Sequence, residues 1–181
     1  MSKNHSMTTR LLSAGYLCIS MIFTTNALAQ SSNFCSAKAP SFASDLNAIV
    51  PALYDIVSGD AGSEKNWSLM QSLFVEGAII TPVFHENQQP TTNPMSVDNF
   101  IELNKKVSKN INFYESEVKS RVFQYGHMAT ILSHYESRNK IGAKPYSEGV
   151  NSFQLLNDGN TWCVVSVTWD SDKGGHGKVA L

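Results

Sequence analysis

The 181-residue chain lacks a surplus of basic residues and any basic stripe. It carries 14 Lys and Arg against 15 Asp and Glu, a formal net charge of −1. The densest basic cluster is Lys105-Lys106 with Lys109, which we expect on the solvated face of a helix. Binding to nucleic-acid phosphates needs clustered Lys and Arg. The composition therefore argues against nucleic acid as a partner.

Motifs for metal, cofactor and nucleophile chemistry are also missing. The five histidines form no His-x-His or Glu-x-x-His pattern. His127 and His134 lie seven residues apart, an odd spacing that puts them on opposite faces of a strand. Ser152 has no Gly-x-Ser-x-Gly context. We therefore expect no metal site, no cofactor and no serine nucleophile.

No apolar run is long enough for a comfortable membrane span, which needs about 20 residues. The uncharged stretch Leu11 to Thr25 follows Lys3 and Arg10 and is closed by Ala27-Leu28-Ala29. A basic start, a short apolar run and a small-x-small site are typical of a secretory signal peptide. We predict that residues 1–29 are removed and that the protein works in the periplasm or outside the cell, without stable membrane insertion. An uncleaved N-terminal anchor is the alternative.

Cleavage changes the charge and cysteine counts. Lys3 and Arg10 leave, so 12 basic residues remain of 14 against 15 acidic ones, a net charge of −3. Cys18 also leaves, and Cys35 and Cys163 remain. An even pair in an oxidising compartment tends to be bonded. A Cys35–Cys163 disulfide is therefore one expectation, and two separate buried thiols are the other.

The mature chain divides into a leader, a domain and a tail. Residues 30–44 are small and polar, as in a mobile leader, and the glycine-rich residues 172–181 are expected to be a disordered tail. Between them, residues 45–171 begin with helical periodicity that Ser44 or Asp45 can cap. A short second helix, a strand near Ala78–Phe84, a flexible loop at Glu86–Pro94 and a helix capped by Ser96 follow.

The second half of the domain changes to period two. Short Gly, Asn and Asp segments separate four predicted strands and favour hairpins; the strands are roughly Phe113–Gln124, His127–Arg138, Tyr146–Leu156 and Thr161–Trp169. Helices followed by an antiparallel meander predict an α+β domain with helices on one face of a curved sheet.

Several stretches resemble a known family in order and spacing. These are Leu53–Gly59, Trp67 with Leu73-Phe74, Phe113–Glu117, Tyr125–Ala129, Ser133–Arg138, Gly149–Leu155 and Trp162–Asp170. They are similar to bacterial nuclear transport factor 2-like proteins of the SnoaL-like type, over about residues 45–171. The resemblance implies a cone, in which a curved antiparallel sheet and N-terminal helices enclose a pocket. It does not imply a reaction, because this fold hosts isomerases, dehydratases, epoxide hydrolases, cyclases and binding proteins.

The ketosteroid-isomerase branch of this superfamily can be compared residue by residue. Its tyrosine in the first helix matches Tyr54. Its catalytic carboxylate before a proline corresponds to Thr81, which precedes Pro82 and cannot act as an ordinary general base. Its acid on the third strand of the meander falls near Asn151, which can still donate a hydrogen bond to an oxyanion. The missing base argues against isomerase chemistry of that type.

Strand parity and the resemblance together suggest a site. Leu132, His134 and Glu136 share one face of their strand, and Asn151 and Phe153 share one face of the next. If these faces look into the pocket, His134 is the best candidate for proton transfer and Glu136 for orienting it. Tyr54, Leu132, Asn151 and Phe153 would complete the pocket. A structural histidine bonded to a neighbouring strand is the alternative for His134.

Three functions are therefore compatible with the sequence. The first is a pocket for a small apolar or amphipathic ligand, without assigned chemistry. The second is a lyase or isomerase using His134 as general acid or base. The third is a non-catalytic dimerisation module; the resemblance implies a homodimer through the outer face of the sheet, for which Ile131, Tyr135 and Val165 have suitable apolar character.

Cleavage after Ala29 predicts that the mature protein begins at Gln30. N-terminal sequencing of exported material should return Gln30-Ser31-Ser32. Recovery of a chain that retains Met1 in a membrane fraction would contradict the expected localisation.

Overall fold

The computed structural model describes residues 33–181. The predicted signal peptide lies outside the described residues. The described residues begin with a segment that leads to a 3₁₀ turn at Ser41–Ser44, and helices α1 (Leu46–Val57) and α2 (Trp67–Ser72) follow. Strands β1 (Phe74–Glu86), β2 (Gln89–Thr92) and β3 (Met95–Ser96) come next, and helix α3 (Val97–Val107) follows them.

Four long strands complete the domain. They are β4 (Tyr114–Tyr125), β5 (Met128–Arg138), β6 (Ser147–Asn157) and β7 (Trp162–Ser171), and a 3₁₀ turn follows at Asp172–Gly174. Each lies within two residues of its predicted bounds, because the turn residues between strands are local signals. The sheet order is β2-β1-β7-β6-β5-β4, with β3 also paired to β1.

The sheet is antiparallel except at one junction. β1 and β7 run parallel, with Ile80 opposite Val167 and Pro82 opposite Trp169. The first strand therefore adds to the end of the meander, and its C-terminal end lies at the same sheet edge as that of β7. The architecture is the predicted α+β fold, a curved sheet with helices on one face.

Helix boundaries follow local capping chemistry. The Asp45 carboxylate accepts a hydrogen bond from the Asn47 N–H at 2.9 Å, and the Ser96 hydroxyl accepts one from the Asn99 N–H at 3.2 Å. Both caps satisfy N–H groups that have no partner in the first turn. α1 buries Ile49, Leu53 and Tyr54 against the sheet. Among residues 33–181, no helix combines the length and apolar character needed to cross a membrane.

Three segments differ from the sequence expectation. The described part of the leader is attached to the domain, since Cys35 and Ala43 are buried. The expected flexible loop at Glu86–Pro94 contains β2, which pairs back on β1 through the two-residue turn Asn87-Gln88, both with positive φ. The first part of the expected disordered tail, as far as His176, is bonded to the sheet: the Ser147 hydroxyl donates to the Asp172 carboxylate at 2.7 Å, and His176 Nε2 lies 3.0 Å from Asp170 Oδ2.

Cys35 and Cys163 form a disulfide, with their Cα atoms 5.6 Å apart. The bond joins the first described residues to the last long strand across a sequence separation of 128. Cys163 is fully buried and Cys35 nearly so. The bond is suited to the oxidising environment of an exported protein.

Removing this bond should destabilise the domain strongly. Replacing both Cys35 and Cys163 with alanine releases a loop whose closure entropy is worth about 4–5 kcal/mol. Urea unfolding of the double variant should show a much lower midpoint than the oxidised wild type. The control Lys38→Ala, an exposed change in the same segment, should leave the midpoint unchanged. Equal midpoints for the double variant and the wild type would show that the bond adds no stability.

Candidate functional site

A cavity of about 400 Å³ lies between the helices and the concave face of the sheet. Its wall is mostly apolar and comes from all three helices and from strands β1, β4, β5, β6 and β7. Apolar residues in the wall include Leu53, Val57, Met70, Phe74, Ile80, Val83, Phe84, Phe100, Phe113, Phe153, Val167 and Trp169. A volume of this size suits a small organic molecule, since such sites enclose roughly 300–1,000 Å³.

A hydrogen-bonded polar cluster in the wall is centred on Glu115 of β4. The Ser137 hydroxyl donates to Glu115 Oε2 at 3.1 Å, and the Asn151 amide donates to Glu115 Oε1 at 3.3 Å. Both donors come from the buried faces of β5 and β6. Among the described residues that line the cavity, Glu115 is the one carboxylate.

The backbone of Glu115 is held as firmly as its side chain. The Ser58 hydroxyl, just after α1, accepts from the Glu115 N–H at 2.9 Å and donates to the Glu115 carbonyl at 3.1 Å. The end of the first helix therefore sets the position of this strand.

Behind Glu115, a chain of hydrogen bonds runs into the core. Ser133 donates to Glu117 Oε2 at 2.6 Å, so its only proton is used there. The Ser133 oxygen must then accept from the Tyr54 hydroxyl, 2.7 Å away. Tyr54 in turn accepts from the Asn151 amide at 2.9 Å. Tyr54 and both amide protons of Asn151 are thus engaged within the protein.

Burial controls the ionisation of Glu115 and of two nearby tyrosines. It raises the pKa of Glu115 from 4.5 to about 7, although the hydrogen bonds from Ser137 and Asn151 act in the opposite direction. Burial also raises the pKa values of Tyr54 and Tyr135, and the nearby Glu115 carboxylate adds to both shifts. At neutral pH the cavity therefore contains neutral phenols and a carboxyl group close to its midpoint.

A missing side chain makes room for Tyr135 at the cavity. Tyr135 lies directly opposite Gly149 in the β5–β6 ladder and lines the cavity. A Cβ atom on Gly149 would lie 2.6 Å from the Tyr135 hydroxyl oxygen, closer than van der Waals contact allows. Glycine at this position lets the phenol reach across β6.

The structure brings only part of the sequence-predicted site together. Tyr54, Asn151 and Phe153 line the cavity, whereas Leu132, His134 and Glu136 do not. The prediction of which face of β5 looks into the cavity was wrong. Asn151 pairs with Ser133, and the buried face consists of Ala129, Ile131, Ser133, Tyr135 and Ser137. Since side chains alternate along a strand, Leu132, His134 and Glu136 point to the outer face.

His134 has a partner on that outer face. Its Nε2 atom lies 3.0 Å from Glu148 Oε2, while Glu136 pairs with Arg138. This corresponds to the alternative of a structural histidine bonded to a neighbouring strand. Ile131 and Tyr135, which were expected on the outer face, are buried on the inner face and are not available to a dimer contact. The pairing of two subunits stays a prediction.

Sequence reasoning missed Glu115, Ser137 and Tyr135. A weak signal existed, because Phe113–Glu117 is one of the stretches that resemble the family, and its two glutamates are two residues apart on one face. The expected absence of a metal site also overlooked a cluster outside the cavity: within residues 33–181, His85, Asp170 and His176 bring three possible ligand atoms within 4.8 Å of one another.

No family model matches the sequence, and no curated protein matches it. Solved structures do match it by fold. The β subunit of a candidate aromatic-ring-hydroxylating dioxygenase from Novosphingobium aromaticivorans has a TM-score of 0.55 at 16% identity, over 76% of this chain and 92% of that one. An NTF2-like protein of unknown function from Pseudomonas putida has a TM-score of 0.54 at 8% identity, over 71% and 84%.

A candidate dehydratase of the NTF2-like family from Streptomyces avermitilis also matches, with a TM-score of 0.51 at 10% identity, over 70% of this chain and 93% of that one. Identities this low carry information on fold and not on reaction. The chain has the NTF2-like fold, as the resemblance in its sequence predicted.

The raised pKa of Glu115 predicts a specific dependence of stability on pH. The folded state holds this proton more tightly than the unfolded state, so the stabilisation is complete below about pH 4.5 and is lost as the pH rises through about 7. The loss is of order 3 kcal/mol. Glu115→Gln, which stays neutral, should therefore flatten the unfolding free energy between pH 5 and 8, measured by urea denaturation.

Glu76→Gln is the matched control, because it removes an exposed carboxylate from strand β1 of the same sheet. Parallel pH profiles for the wild type and Glu115→Gln would mean that the Glu115 carboxyl ionises as it does in water.

Proposed function

We propose that the mature chain is an exported protein whose cavity binds a small, mainly apolar molecule carrying one polar group. The observation that carries this proposal is the buried polar cluster centred on Glu115 in a mostly apolar cavity of about 400 Å³. The disulfide supports an oxidising compartment. The NTF2-like fold supports a small-molecule pocket without specifying a reaction.

The chemistry of the cluster narrows the ligand class. The hydroxyl proton of Tyr54 and the amide protons of Asn151 are donated within the protein. These two residues therefore position Glu115, and Glu115 is the group that contacts the ligand. A carboxyl with a pKa of about 7 donates to a carbonyl when protonated and accepts from a hydroxyl when ionised. A second carboxylate brought close to it would be repelled. We infer a neutral ligand with a carbonyl or hydroxyl at one end.

A second function, a lyase or isomerase, is favoured by the same pKa. General acid–base catalysis works best when the group titrates near the operating pH, and burial places Glu115 there. The role first assigned to His134 then passes to Glu115, which reaches the cavity where His134 does not. The Streptomyces avermitilis neighbour, named as a candidate dehydratase, shares the fold, so the fold is compatible with this class of reaction.

Native mass spectrometry of protein purified from its own compartment tests the binding proposal directly. We expect a bound molecule of a few hundred daltons, in keeping with the cavity volume. Trp169 lines the cavity and packs edge-to-face on Phe100, with ring centroids 6.2 Å apart, so its fluorescence should change when candidate ligands bind. A cavity that retains nothing and binds no neutral carbonyl or hydroxyl compound would contradict the proposal.

Glu115→Gln separates binding from catalysis once a ligand is known. If the protein only binds, the variant should keep its affinity within a few fold and lose the pH dependence of binding near 7. If it is an enzyme, turnover should fall by roughly a hundredfold or more while the ligand still binds. His134→Ala is the control and should change neither, because that ring pairs with Glu148 outside the cavity.

A further inference from the structure

A second polar cluster lies where the parallel strands β1 and β7 end. The Nε2 atom of His85 is 2.7 Å from Asp170 Oδ1, and the Nε2 atom of His176 is 3.0 Å from Asp170 Oδ2. One carboxylate thus faces two imidazoles, one on each oxygen. The two rings pack edge-to-face with centroids 5.4 Å apart.

The backbone is shaped to bring His176 back to the sheet. After β7 the chain makes the 3₁₀ turn Asp172–Gly174 and reverses at Gly175, whose φ is 75°. Gly174 lies between the rings: a Cβ atom there would be 2.5 Å from His176 Nε2 and 2.5 Å from His85 Cε1. The close approach of the two imidazoles therefore depends on a residue without a side chain.

His85 is nearly buried, and its polar contact in the described structure runs through one ring nitrogen, Nε2. Its side chain is only 7% exposed, and its Nδ1 atom is buried without a hydrogen-bond partner. The ring therefore meets the rest of the cluster through Nε2, the atom that faces Asp170. A coordinate bond at Nε2 would be stronger than the hydrogen bond to Asp170 that holds it otherwise.

We propose that His85, Asp170 and His176 form a Zn²⁺ site that ties the C-terminal segment to the sheet. Two imidazoles and one carboxylate are a common ligand set for zinc sites that keep a further position open. The three ligand atoms lie within 4.8 Å of one another, and tetrahedral zinc spaces its ligand atoms about 3.3 Å apart. Small shifts of these side chains would admit the ion.

The donor set selects among metals and leaves room for a fourth ligand. Imidazole nitrogen favours Zn²⁺ over Mg²⁺ or Ca²⁺, which prefer oxygen. Asp170 supplies the anionic ligand, and each of its two carboxylate oxygens lies beside one imidazole nitrogen. His176 is 56% exposed, so water can complete the coordination.

Isothermal titration calorimetry on the tag-free, chelator-stripped mature protein tests the site, with zinc chloride as the titrant. We expect one Zn²⁺ per chain with micromolar or tighter affinity. His176→Ala, an exposed change that should not impair folding, should weaken binding by at least about tenfold. His127→Ala is the matched control, since that histidine is exposed and its Nδ1 atom lies 3.1 Å from the Asn157 carbonyl oxygen, away from the cluster.

A second measurement reports on the tail itself. Zn²⁺ should slow tryptic cleavage after Lys173 and Lys178 in the wild type and have no effect in His176→Ala. Absence of saturable binding would overturn the proposal, and so would equal weakening by His127→Ala and His176→Ala. Zinc binding that leaves the cleavage rates unchanged would place the ion elsewhere and also overturn it.

Discussion

The hydrogen-bond chain from Asn151 through Tyr54 to Ser133 determines how the first helix meets the sheet. It joins α1 to β5 and β6 at buried positions, where an unmatched donor or acceptor would be costly. Each group has a limited number of protons, and the terminal Glu117 carboxylate fixes the direction of the chain. The helix cannot slide without breaking these hydrogen bonds. The hydrogen-bond chain therefore also sets the depth of the cavity beneath α1 and the position of Glu115 at the cavity wall.

That arrangement explains why the carboxyl of Glu115 is suited to binding or chemistry and not only to structure. Its partners Ser137 and Asn151 are neutral, so no opposite charge compensates for burial, and its pKa rises. A salt bridge at this position would have kept the group ionised. On the outer face, by contrast, Glu136 and Glu148 pair with Arg138 and His134, and all four side chains are partly exposed.

Local sequence signals predicted most of the fold. The prediction of the site failed because it needed the register between β5 and β6, which is not a local property. The caps at Asp45 and Ser96 and the hairpin turns depend on neighbouring residues, so sequence alone places them. Neighbouring residues do not determine which face of β5 is buried. Met128, Leu132 and His134 on one face look as suitable for a core as Ala129, Ile131 and Tyr135 on the other. Only the register with β6, which pairs Ser133 with Asn151, decides between them. A shift of one residue exchanges the two faces, and with them His134 and the true cavity residues.

The two clusters show how one sheet gives carboxylates opposite properties. Asp170 and Glu115 both lose solvent on folding, which by itself raises a carboxyl pKa. At Asp170 the hydrogen bonds from two imidazoles and a backbone N–H outweigh that loss and favour the charged form. At Glu115 a hydroxyl and an amide do not outweigh it, so the neutral form persists near pH 7. Deep burial with neutral partners therefore keeps Glu115 partly protonated near pH 7, whereas Asp170, which is partly exposed and hydrogen-bonded, favours its charged form. Both depend on strand pairings that bring together residues far apart in the chain, so motif spacing reveals neither.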